Sequence, residues 1–243
     1  MTSGEDIYDL LIVGGGINGC GIACDAAGRG LHVALVEQDD LANATSSASS
    51  KLIHGGLRYL ESFQFRLVRK ALAEREVMLG RAPHIIRPLR FVLPHQNQVR
   101  PAWMIRLGLF LYDHLARHPK LPDSEGVNLG SHAWGAPLNN SIKKGFAYSD
   151  CWADDARLVV LNAVQAAEKG AAILTRTRLL DAKRHGAHWQ ATVEDRRSGK
   201  EKTLKARALV NAAGPWVEEI LGQRLRLAGK RRVRLVKGSH IVV

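Results

Sequence analysis

The feature that most constrains the fold of this chain is a glycine-rich turn between an apolar strand and a helix of small residues. Residues Ile7–Val13 are nearly all β-branched or aliphatic, which is typical of a buried parallel strand. They lead directly into the turn, and the small side chains of Ile17–Gly28 predict a helix that packs closely against a sheet. A second apolar strand at 31–36 completes a βαβ unit of about 30 residues.

Three glycines and one acidic residue of this unit have the spacing of a dinucleotide-binding site. Gly14 permits the tight turn, Gly16 lets the backbone approach a pyrophosphate, and Gly19 allows close packing of helix on strand. Glu37 follows Gly14 by 23 positions, close to the roughly 20 expected for a carboxylate that accepts hydrogen bonds from a ribose. The pattern therefore predicts a nucleotide site at the carboxyl end of the first strand.

The start of the predicted helix adds to this site. The backbone N–H groups of Ile17 and Asn18 lie in its first turn, where they and the helix dipole favour the negative charge of phosphates. The acid at Glu37 repels a 2′-phosphate and so disfavours NADP. The residues alone leave FAD and NAD open, and a tight strand-to-helix turn without a ligand remains the alternative.

The composition excludes several classes of protein. With 46% apolar and 24% charged residues in 243, the chain is neither disordered nor collagen-like. The three cysteines, Cys20, Cys24 and Cys151, form no CxxC pair, which favours reduced thiols and a cytoplasmic location. The acidic start predicts no secretory signal. The longest apolar patch, 107–112, is far shorter than the roughly 18 residues of a membrane span, so any membrane contact is expected to be peripheral.

A net charge of +12 predicts that the protein attracts anions, such as phosphorylated small molecules, acidic lipid headgroups or nucleic acid. Nucleic acid is disfavoured because the chain has neither a metal-finger spacing nor an RNP-type strand, and no metal site is predicted. Part of the charge is local to 217–243, which is either a solvated face or a surface for substrate or anionic lipid. Its basic residues are Arg224, Arg226, Lys230, Arg231, Arg232, Arg234 and Lys237.

Apolar periodicity and turn residues predict the remaining elements. Helices are expected at 61–81, from Pro101 through Leu115, and at 156–169 with Asp154 or Asp155 as cap. The helix after Pro101 suits either an interfacial helix or a core stripe. Strands are expected at 88–94, 172–175, 188–194, 203–205, 208–211 and 241–243, and 122–145 is expected to be irregular. The apolar end at 241–243 predicts a chain that stops within a domain.

Two longer motifs resemble a known family. Ala44-Thr45-Ser46-Ser47-Ala48-Ser49-Ser50-Lys51-Leu52-Ile53-His54-Gly55-Gly56-Leu57-Arg58-Tyr59-Leu60 is followed downstream by Asn211-Ala212-Ala213-Gly214-Pro215-Trp216. Together they resemble the FAD-dependent glycerol-3-phosphate dehydrogenase family, within the larger group related to D-amino-acid oxidase. The resemblance extends over essentially the whole chain, including 100–103, 148–152 and 237–240, and corresponds to the N-terminal part of family members.

The resemblance implies an α/β fold. We expect a Rossmann-like FAD-binding domain of the D-amino-acid-oxidase/glutathione-reductase type, with part of a second, mixed α+β substrate (cap) domain. The FAD-binding domain would be discontinuous, comprising 1–75 and 150–216, and the partial cap domain would comprise 76–149 and 217–243. The C-terminal part of the family is expected to be lacking.

The same resemblance assigns residues to FAD. Hydroxyl groups would come from Ser46, Ser49 and Ser50, although capping or turn formation is the alternative for each serine. A cation or N–H near N1 and the C2 carbonyl stabilises the anionic reduced flavin, and glycine lets the backbone approach the ring. The residues expected near the isoalloxazine are Lys51, Leu52, His54 and Gly55, and the downstream motif adds Ala213 and Gly214 to the cofactor site.

The substrate residues implied are Arg58, Tyr59 and His240. A planar guanidinium binds a phosphate in a bidentate way, which favours Arg58 for the substrate phosphate, with a hydroxyl contact from Tyr59. A surface salt bridge from Arg58 to Glu61 is the alternative. His240 would accept the substrate hydroxyl proton while hydride leaves C2 for flavin N5; a buried structural histidine is the alternative there, and a loop histidine is the alternative for His54.

The activity implied is oxidation of sn-glycerol 3-phosphate to dihydroxyacetone phosphate, with electrons passed to a quinone. Peripheral association with the inner face of the cytoplasmic membrane and a homodimer are compatible with the family. Two alternatives stay open: an oxidase that uses dioxygen, and a truncated flavin-binding module without catalysis.

Overall fold

The structure is a computed structural model, which describes residues 7–96, 100–116, 120–229, 232–236 and 238–239. The described residues divide into two units: unit 1 comprises those of 1–50 and 155–243, and unit 2 those of 51–154. The units part at 50/51 and 154/155, whereas the expected domains part at 75/76, 149/150 and 216/217. That expected division stays a prediction.

The described residues form ten strands and five α-helices. The strands are β1 Ile7–Val13, β2 Val33–Val36, β3 Leu52–Ile53, β4 Ile86–His95, β5 Glu125–Asn128, β6 Lys144–Ala153, β7 Ala172–Leu174, β8 Thr177–His185, β9 His188–Asp195 and β10 Glu201–Asn211. The α-helices are α1 Ile17–Gly28, α2 Phe65–Arg81, α3 Ala102–His114, α4 Asp155–Glu168 and the single turn α5 Val217–Glu219. Short 3₁₀ turns lie at Leu57–Ser62, Ala133–Gly135 and Gly214–Trp216, and a π turn lies at Ile220–Arg224.

Unit 1 is built on a six-stranded sheet in the order β7-β2-β1-β10-β9-β8. Strands β7, β2, β1 and β10 run parallel, and β9 and β8 extend the sheet as an antiparallel pair. β1 lies between β2 and β10, with Leu10 opposite both Val33 and Ala208. This confirms the predicted βαβ unit and puts the glycine turn at the carboxyl end of an interior strand, where α/β folds bind nucleotides.

Small side chains bring α1 and α4 close to one face of this sheet. Ala23 and Ala27 of α1 and Ala163 of α4 are buried in one apolar cluster with Ile12 and Val33 of the strands. A side chain of one methyl group lets a helix backbone approach a sheet closely, so the alanine-rich pattern of 17–28 explains the packing. The other face buries a second cluster that includes Leu11, Val13, Ala34, Val36, Leu179, Val193, Leu204 and Leu225.

Two features of unit 1 differ from the sequence prediction. The segments 203–205 and 208–211 are parts of the single strand β10, whose first half pairs with β9 and whose second half pairs with β1. Strand β8 was not predicted. Its register with β9 shifts between Leu179 and Asp181, and such a bulge breaks the strict apolar alternation by which a strand is recognised.

Unit 2 contains a four-stranded antiparallel sheet around β6. β4 pairs along the whole of β6 on one side, while β3 and β5 pair with its two ends. The expectation that 122–145 is irregular was therefore wrong for β5 and for the start of β6. β5 is Glu-Gly-Val-Asn, too polar and short to be recognised, and its pairing partner β6 supplies the order.

The helix predicted at 61–81 begins later, at Phe65, because a 3₁₀ turn at Leu57–Ser62 ends on Phe63 in the left-handed region at φ 56°. The other predicted helices are found with shifts of one or two residues at their ends. Strand 241–243 and the basic residues Lys230, Arg231 and Lys237 lie outside the described residues, as does His240.

Candidate functional site

The turn after β1 requires glycine at two positions for steric reasons. Gly14 has φ +114°, and a Cβ there would lie 2.5 Å from the carbonyl oxygen of Ala212 on the neighbouring strand. A Cβ on Gly19 would lie 1.9 Å from the carbonyl oxygen of Gly14. Helix α1 therefore starts in direct contact with the turn, which is the close packing expected of Gly19.

Glu37 is fixed at the end of β2 beside this turn. Its Oε2 accepts the Gly15 N–H at 2.6 Å, and its Oε1 accepts the Asp39 N–H at 2.9 Å. An ionised carboxylate has about four acceptor positions, so two of them stay open to ribose hydroxyls. The hydrogen bond from Gly15 was not predicted. Through it Glu37 stabilises the glycine turn, in addition to being a candidate ligand of the ribose.

A cavity of about 490 Å³ opens over this turn within unit 1. Of the predicted cofactor residues in unit 1, Gly19, Ser49 and Ser50 do not line it. The predicted residues that do line it are Gly14, Gly16, Ile17, Asn18, Glu37, Ser46, Ala213 and Gly214. These residues fit the adenosine and pyrophosphate parts of FAD, because they combine side-chain-free backbone at the turn, a helix start and a carboxylate.

The serines of the segment after β2 make contacts at helix starts. Ser46 Oγ accepts the Ile17 N–H at 2.9 Å, and a Cβ on Gly16 would lie 3.0 Å from the same oxygen. Ser46 keeps its hydroxyl proton for donation, as the cofactor role requires. Ser49 donates its hydroxyl to Asp155 Oδ2 at 2.8 Å, at the start of α4. The roles of Ser46, Ser49 and the exposed Ser50 toward FAD stay predictions.

The remaining predicted residues that the structure describes belong to unit 2. Lys51 directly precedes β3, and Leu52 is the first residue of β3 and lies opposite Trp152 of β6. His54, Arg58 and Tyr59 are exposed, the last two on the 3₁₀ turn Leu57–Ser62. Exposure of an imidazole, a guanidinium and a phenol along six residues suits a surface that meets a ligand.

The salt bridge considered for Arg58 is formed by another arginine. Both oxygens of Glu61 accept hydrogen bonds from Arg100, and the hydrogen bond from Arg100 lowers the pKa of Glu61 below its usual value. The charge of Arg58 lowers the pKa of Glu61 to a lesser extent, but the hydrogen-bonded salt bridge of Glu61 is formed with Arg100.

Gly55 is required for a reason other than approach to a ring. A Cβ there would lie 2.4 Å from Leu72 Cδ2 and 2.7 Å from the Tyr112 hydroxyl. The Gly55 N–H donates to that hydroxyl at 2.8 Å. The missing side chain therefore lets the segment lie against α2 and α3. Whether Gly55 also lies near the flavin stays a prediction.

Sequence reasoning missed a buried polar cluster below this segment. Arg75 of α2 donates to Asp150 Oδ1 at 2.7 Å, and so does the Tyr112 hydroxyl at 2.7 Å. Arg75 is only 2% exposed. An arginine on an amphipathic helix is typical of a solvated face, so no local pattern predicts the burial of Arg75. Asp150 lies in the motif at 148–152, but that motif gave it no individual role.

Helix α3 buries one face and exposes another. Leu109 and Tyr112 are buried, whereas Trp103 is 66% exposed and Leu107 50% exposed.

Among the described residues, no helix is both long and apolar enough to cross a membrane. The same residues contain no group of three or more His, Cys, Asp or Glu side chains placed to hold a metal ion.

Comparison with known proteins agrees with this geometry. The family model described as DAO, FAD dependent oxidoreductase, matches residues 9–243. The chain is 59% identical over 238 residues to a glycerol-3-phosphate dehydrogenase of Pseudomonas tolaasii, covering 98% of this chain and 46% of that protein. It is 58% identical over 235 residues to a D-erythritol 1-phosphate dehydrogenase of Brucella abortus (strain 2308), covering 97% of this chain and 47% of that protein.

A solved structure shows the same fold. The glycerol-3-phosphate dehydrogenase of Bacillus halodurans, complexed with FAD, superposes with a TM-score of 0.68 at 29% identity, covering 90% of this chain and 36% of that one. The chain spans about half the length of the curated relatives it matches. The predicted cofactor, FAD, and the predicted fold class are confirmed: the chain belongs to the DAO family of FAD-dependent oxidoreductases.

Proposed function

We propose that the protein oxidises a phosphorylated polyol, sn-glycerol 3-phosphate, to dihydroxyacetone phosphate with FAD as cofactor. The observation that carries this proposal is the 59% identity to the glycerol-3-phosphate dehydrogenase of Pseudomonas tolaasii, sustained over 98% of the chain. The exposed guanidinium of Arg58 and the strongly basic composition support a phosphorylated substrate, because both attract a dianion.

The cofactor is held in this proposal by the cavity of unit 1. The N–H of Gly14 donates to the Val36 carbonyl and that of Ile17 donates to Ser46 Oγ, so the pyrophosphate is bound by the backbone of Gly16 and by Asn18 in the first turn of α1. Glu37 accepts hydrogen bonds from the adenosine ribose. Ser46 donates its remaining hydroxyl proton to the cofactor. When bound, FAD supplies a hydride acceptor at flavin N5.

The substrate is oriented by side chains of unit 2. Arg58 binds the phosphate with its two-pronged guanidinium, and Tyr59 adds a hydroxyl contact. Both oxygens of Glu61 accept hydrogen bonds from Arg100, so Arg58 interacts with Glu61 through its charge and its guanidinium donors face the phosphate in this proposal. His240, which lies outside the described residues, takes the proton of the substrate hydroxyl, since an imidazole with a pKa near neutrality suits this transfer.

A second substrate has a specific observation in its favour. The D-erythritol 1-phosphate dehydrogenase of Brucella abortus is 58% identical to this chain, so overall identity does not separate the two substrates. Both are phosphorylated polyols, and Arg58 suits the phosphate of either. The four-carbon substrate needs more space beyond the reacting carbon, so substrate length is the property that an assay must compare.

The decisive assay is anaerobic reduction of the bound cofactor. Protein reconstituted with FAD is mixed with sn-glycerol 3-phosphate, and separately with D-erythritol 1-phosphate, while the flavin absorbance is followed. Bleaching by the three-carbon substrate at the lower concentration supports the proposal, and preference for the four-carbon substrate selects the second candidate. A yellow protein that neither compound bleaches is a flavin-binding module, and the proposal fails.

In this proposal the electron acceptor is a quinone at the inner face of the cytoplasmic membrane. The basic segment within 217–243 suits anionic lipid there. Turnover with a soluble quinone analogue and without hydrogen peroxide supports this assignment. Stoichiometric hydrogen peroxide in air identifies an oxidase instead, and size-exclusion chromatography of the reconstituted protein tests the homodimer.

A further inference from the structure

Three buried side chains in unit 2 form a hydrogen-bonded chain that ends on the backbone of Gly55. The Gly55 N–H donates to the Tyr112 hydroxyl oxygen at 2.8 Å, and this hydroxyl donates to Asp150 Oδ1 at 2.7 Å. Arg75 donates to the same Asp150 oxygen at 2.7 Å and to the Ser149 carbonyl at 2.9 Å. Tyr112 and Arg75 are each 2% exposed, and Asp150 is 3% exposed.

The hydrogen bonds run in one direction, because the groups on either side of the Tyr112 hydroxyl have fixed roles. Arg75 only donates and the Asp150 carboxylate only accepts, so the Tyr112 hydroxyl must donate to Asp150 and accept from Gly55. Burial and the neighbouring charge of Asp150 raise the pKa of Tyr112, which keeps its proton in place. A polar group in this setting stays ordered, since an unpaired one costs free energy when buried.

Apolar contacts hold the next residues against the same helices. Gly56 has φ +75° and turns the chain into the 3₁₀ turn Leu57–Ser62. Leu57 and Leu60 of this turn pack against a cluster of three buried side chains, Val68, Leu72 and Tyr112. The other side of the turn presents Arg58 and Tyr59 to solvent. Tyr112 is thus joined to the segment by a hydrogen bond before the turn and by packing within it.

We propose that Tyr112, held by Asp150 and Arg75, is a positioning residue that sets the conformation of segment 54–59 and thereby places Arg58 for the phosphate of the substrate. The role rests on the proposed function, which assigns the phosphate to Arg58. Tyr112 itself does not touch the substrate, because it is buried and its hydroxyl is occupied by Gly55 and Asp150. Its loss is therefore expected to weaken substrate binding and to leave the adenosine diphosphate cavity of unit 1 unchanged.

The test compares two phenylalanine variants of the FAD-loaded full chain. Tyr112→Phe removes the hydroxyl and keeps the ring. Tyr148→Phe is the matched control. The Tyr148 ring packs edge-on against the Tyr112 ring, with 6.0 Å between the ring centroids, but the Gly55 N–H donates to Tyr112 and Asp150 rather than to Tyr148. We expect Tyr112→Phe to raise KM for glycerol 3-phosphate about five- to tenfold, the effect of the one hydrogen bond that the hydroxyl makes to the segment, with an unchanged dissociation constant for adenosine diphosphate in the cavity of unit 1. Tyr148→Phe should change neither.

A second measurement reports the segment without substrate. Amide hydrogen exchange of a peptide covering 53–60 should be faster in Tyr112→Phe than in the wild type, and equal to the wild type in Tyr148→Phe. An unchanged KM in Tyr112→Phe, or equal changes in both variants, overturns the positioning role. Failure of the proposed function is separate and visible in the wild type alone, whose FAD would then not be bleached; the role, which rests on that function, falls with it.

Discussion

At the scale of single residues, the glycines of α1 differ sharply in what they tolerate. Gly19 has no room for a methyl group, because a Cβ would lie 1.9 Å from the Gly14 carbonyl oxygen, whereas Gly21, one half-turn later, faces open space. We expect Gly19→Ala to weaken FAD binding at least tenfold by forcing α1 away from the turn. Gly21→Ala, the matched control, should stabilise the fold by up to about 1 kcal/mol through helix propensity. Flavin fluorescence titration and urea unfolding measure both, and equal FAD affinity in the two variants would contradict the steric argument.

The cysteines should also differ in reactivity. Burial, with a smaller contribution from the charge of Glu37, raises the pKa of Cys20 to about 11, and burial raises that of Cys151 to about 11. Both thiols are protonated at pH 8, and alkylation needs the thiolate. Cys24 is only partly buried. Iodoacetamide at pH 8 should therefore modify Cys24 first, and mass spectrometry of tryptic peptides checks this. Labelling of Cys20 in the folded protein at the rate of Cys24 would refute the burial account.

His240 carries the proposed proton transfer. In the FAD-loaded protein, His240→Ala should slow flavin reduction by glycerol 3-phosphate about 100-fold, the usual contribution of a general base. Stopped-flow absorbance gives the rate, and addition of imidazole to the variant should restore part of it. Bleaching at the wild-type rate would remove the histidine from the mechanism and leave the cofactor assignment intact.

At the scale of elements, a buried ion pair between helix α2 and strand β6 is expected to stabilise unit 2. Arg75 is buried with Asp150, and loss of one partner of a buried ion pair leaves an uncompensated charge. Arg75→Ala should therefore lower the free energy of unfolding by about 3 to 5 kcal/mol. Arg69→Ala in the same helix, at an exposed position, should change it by less than about 0.5 kcal/mol. Urea denaturation compares the variants, and similar midpoints would show that the pair adds nothing.

How far the elements were predictable depends on what orders them. β1, α1 and β2 were predicted almost to the residue, because a buried strand, a glycine turn and an alanine-rich helix each have a local pattern. β5 and β8 were not, since their order comes from pairing with β6 and β9 and from a bulge at Leu179 and Asp181. In the candidate site, the backbone turn and Glu37 were predictable from spacing. The contact of Gly55 with Tyr112, 57 residues away in sequence, has no local signal.

At the scale of the whole molecule, the glycine turn, its glutamate and the serine-bearing segment meet in one cavity of unit 1, and the family to which the chain belongs uses FAD. Unit 2 contributes a surface with Arg58, Tyr59 and His54 exposed above a buried polar cluster. We propose that residues of unit 1 bind the adenosine and pyrophosphate parts of the cofactor. Unit 2 contributes Arg58 for the substrate phosphate and the residues predicted near the flavin ring, which are Lys51, Leu52, His54 and Gly55.

The most direct measurement is titration of the purified chain with FAD, followed by gel filtration and an absorbance spectrum of the protein peak. The account predicts a yellow protein with about one FAD per chain, and competition for that site by adenosine diphosphate, because the cavity over the Gly14 turn recognises the adenosine diphosphate portion. A protein that leaves the column colourless, at FAD concentrations that saturate other members of the family, would contradict it.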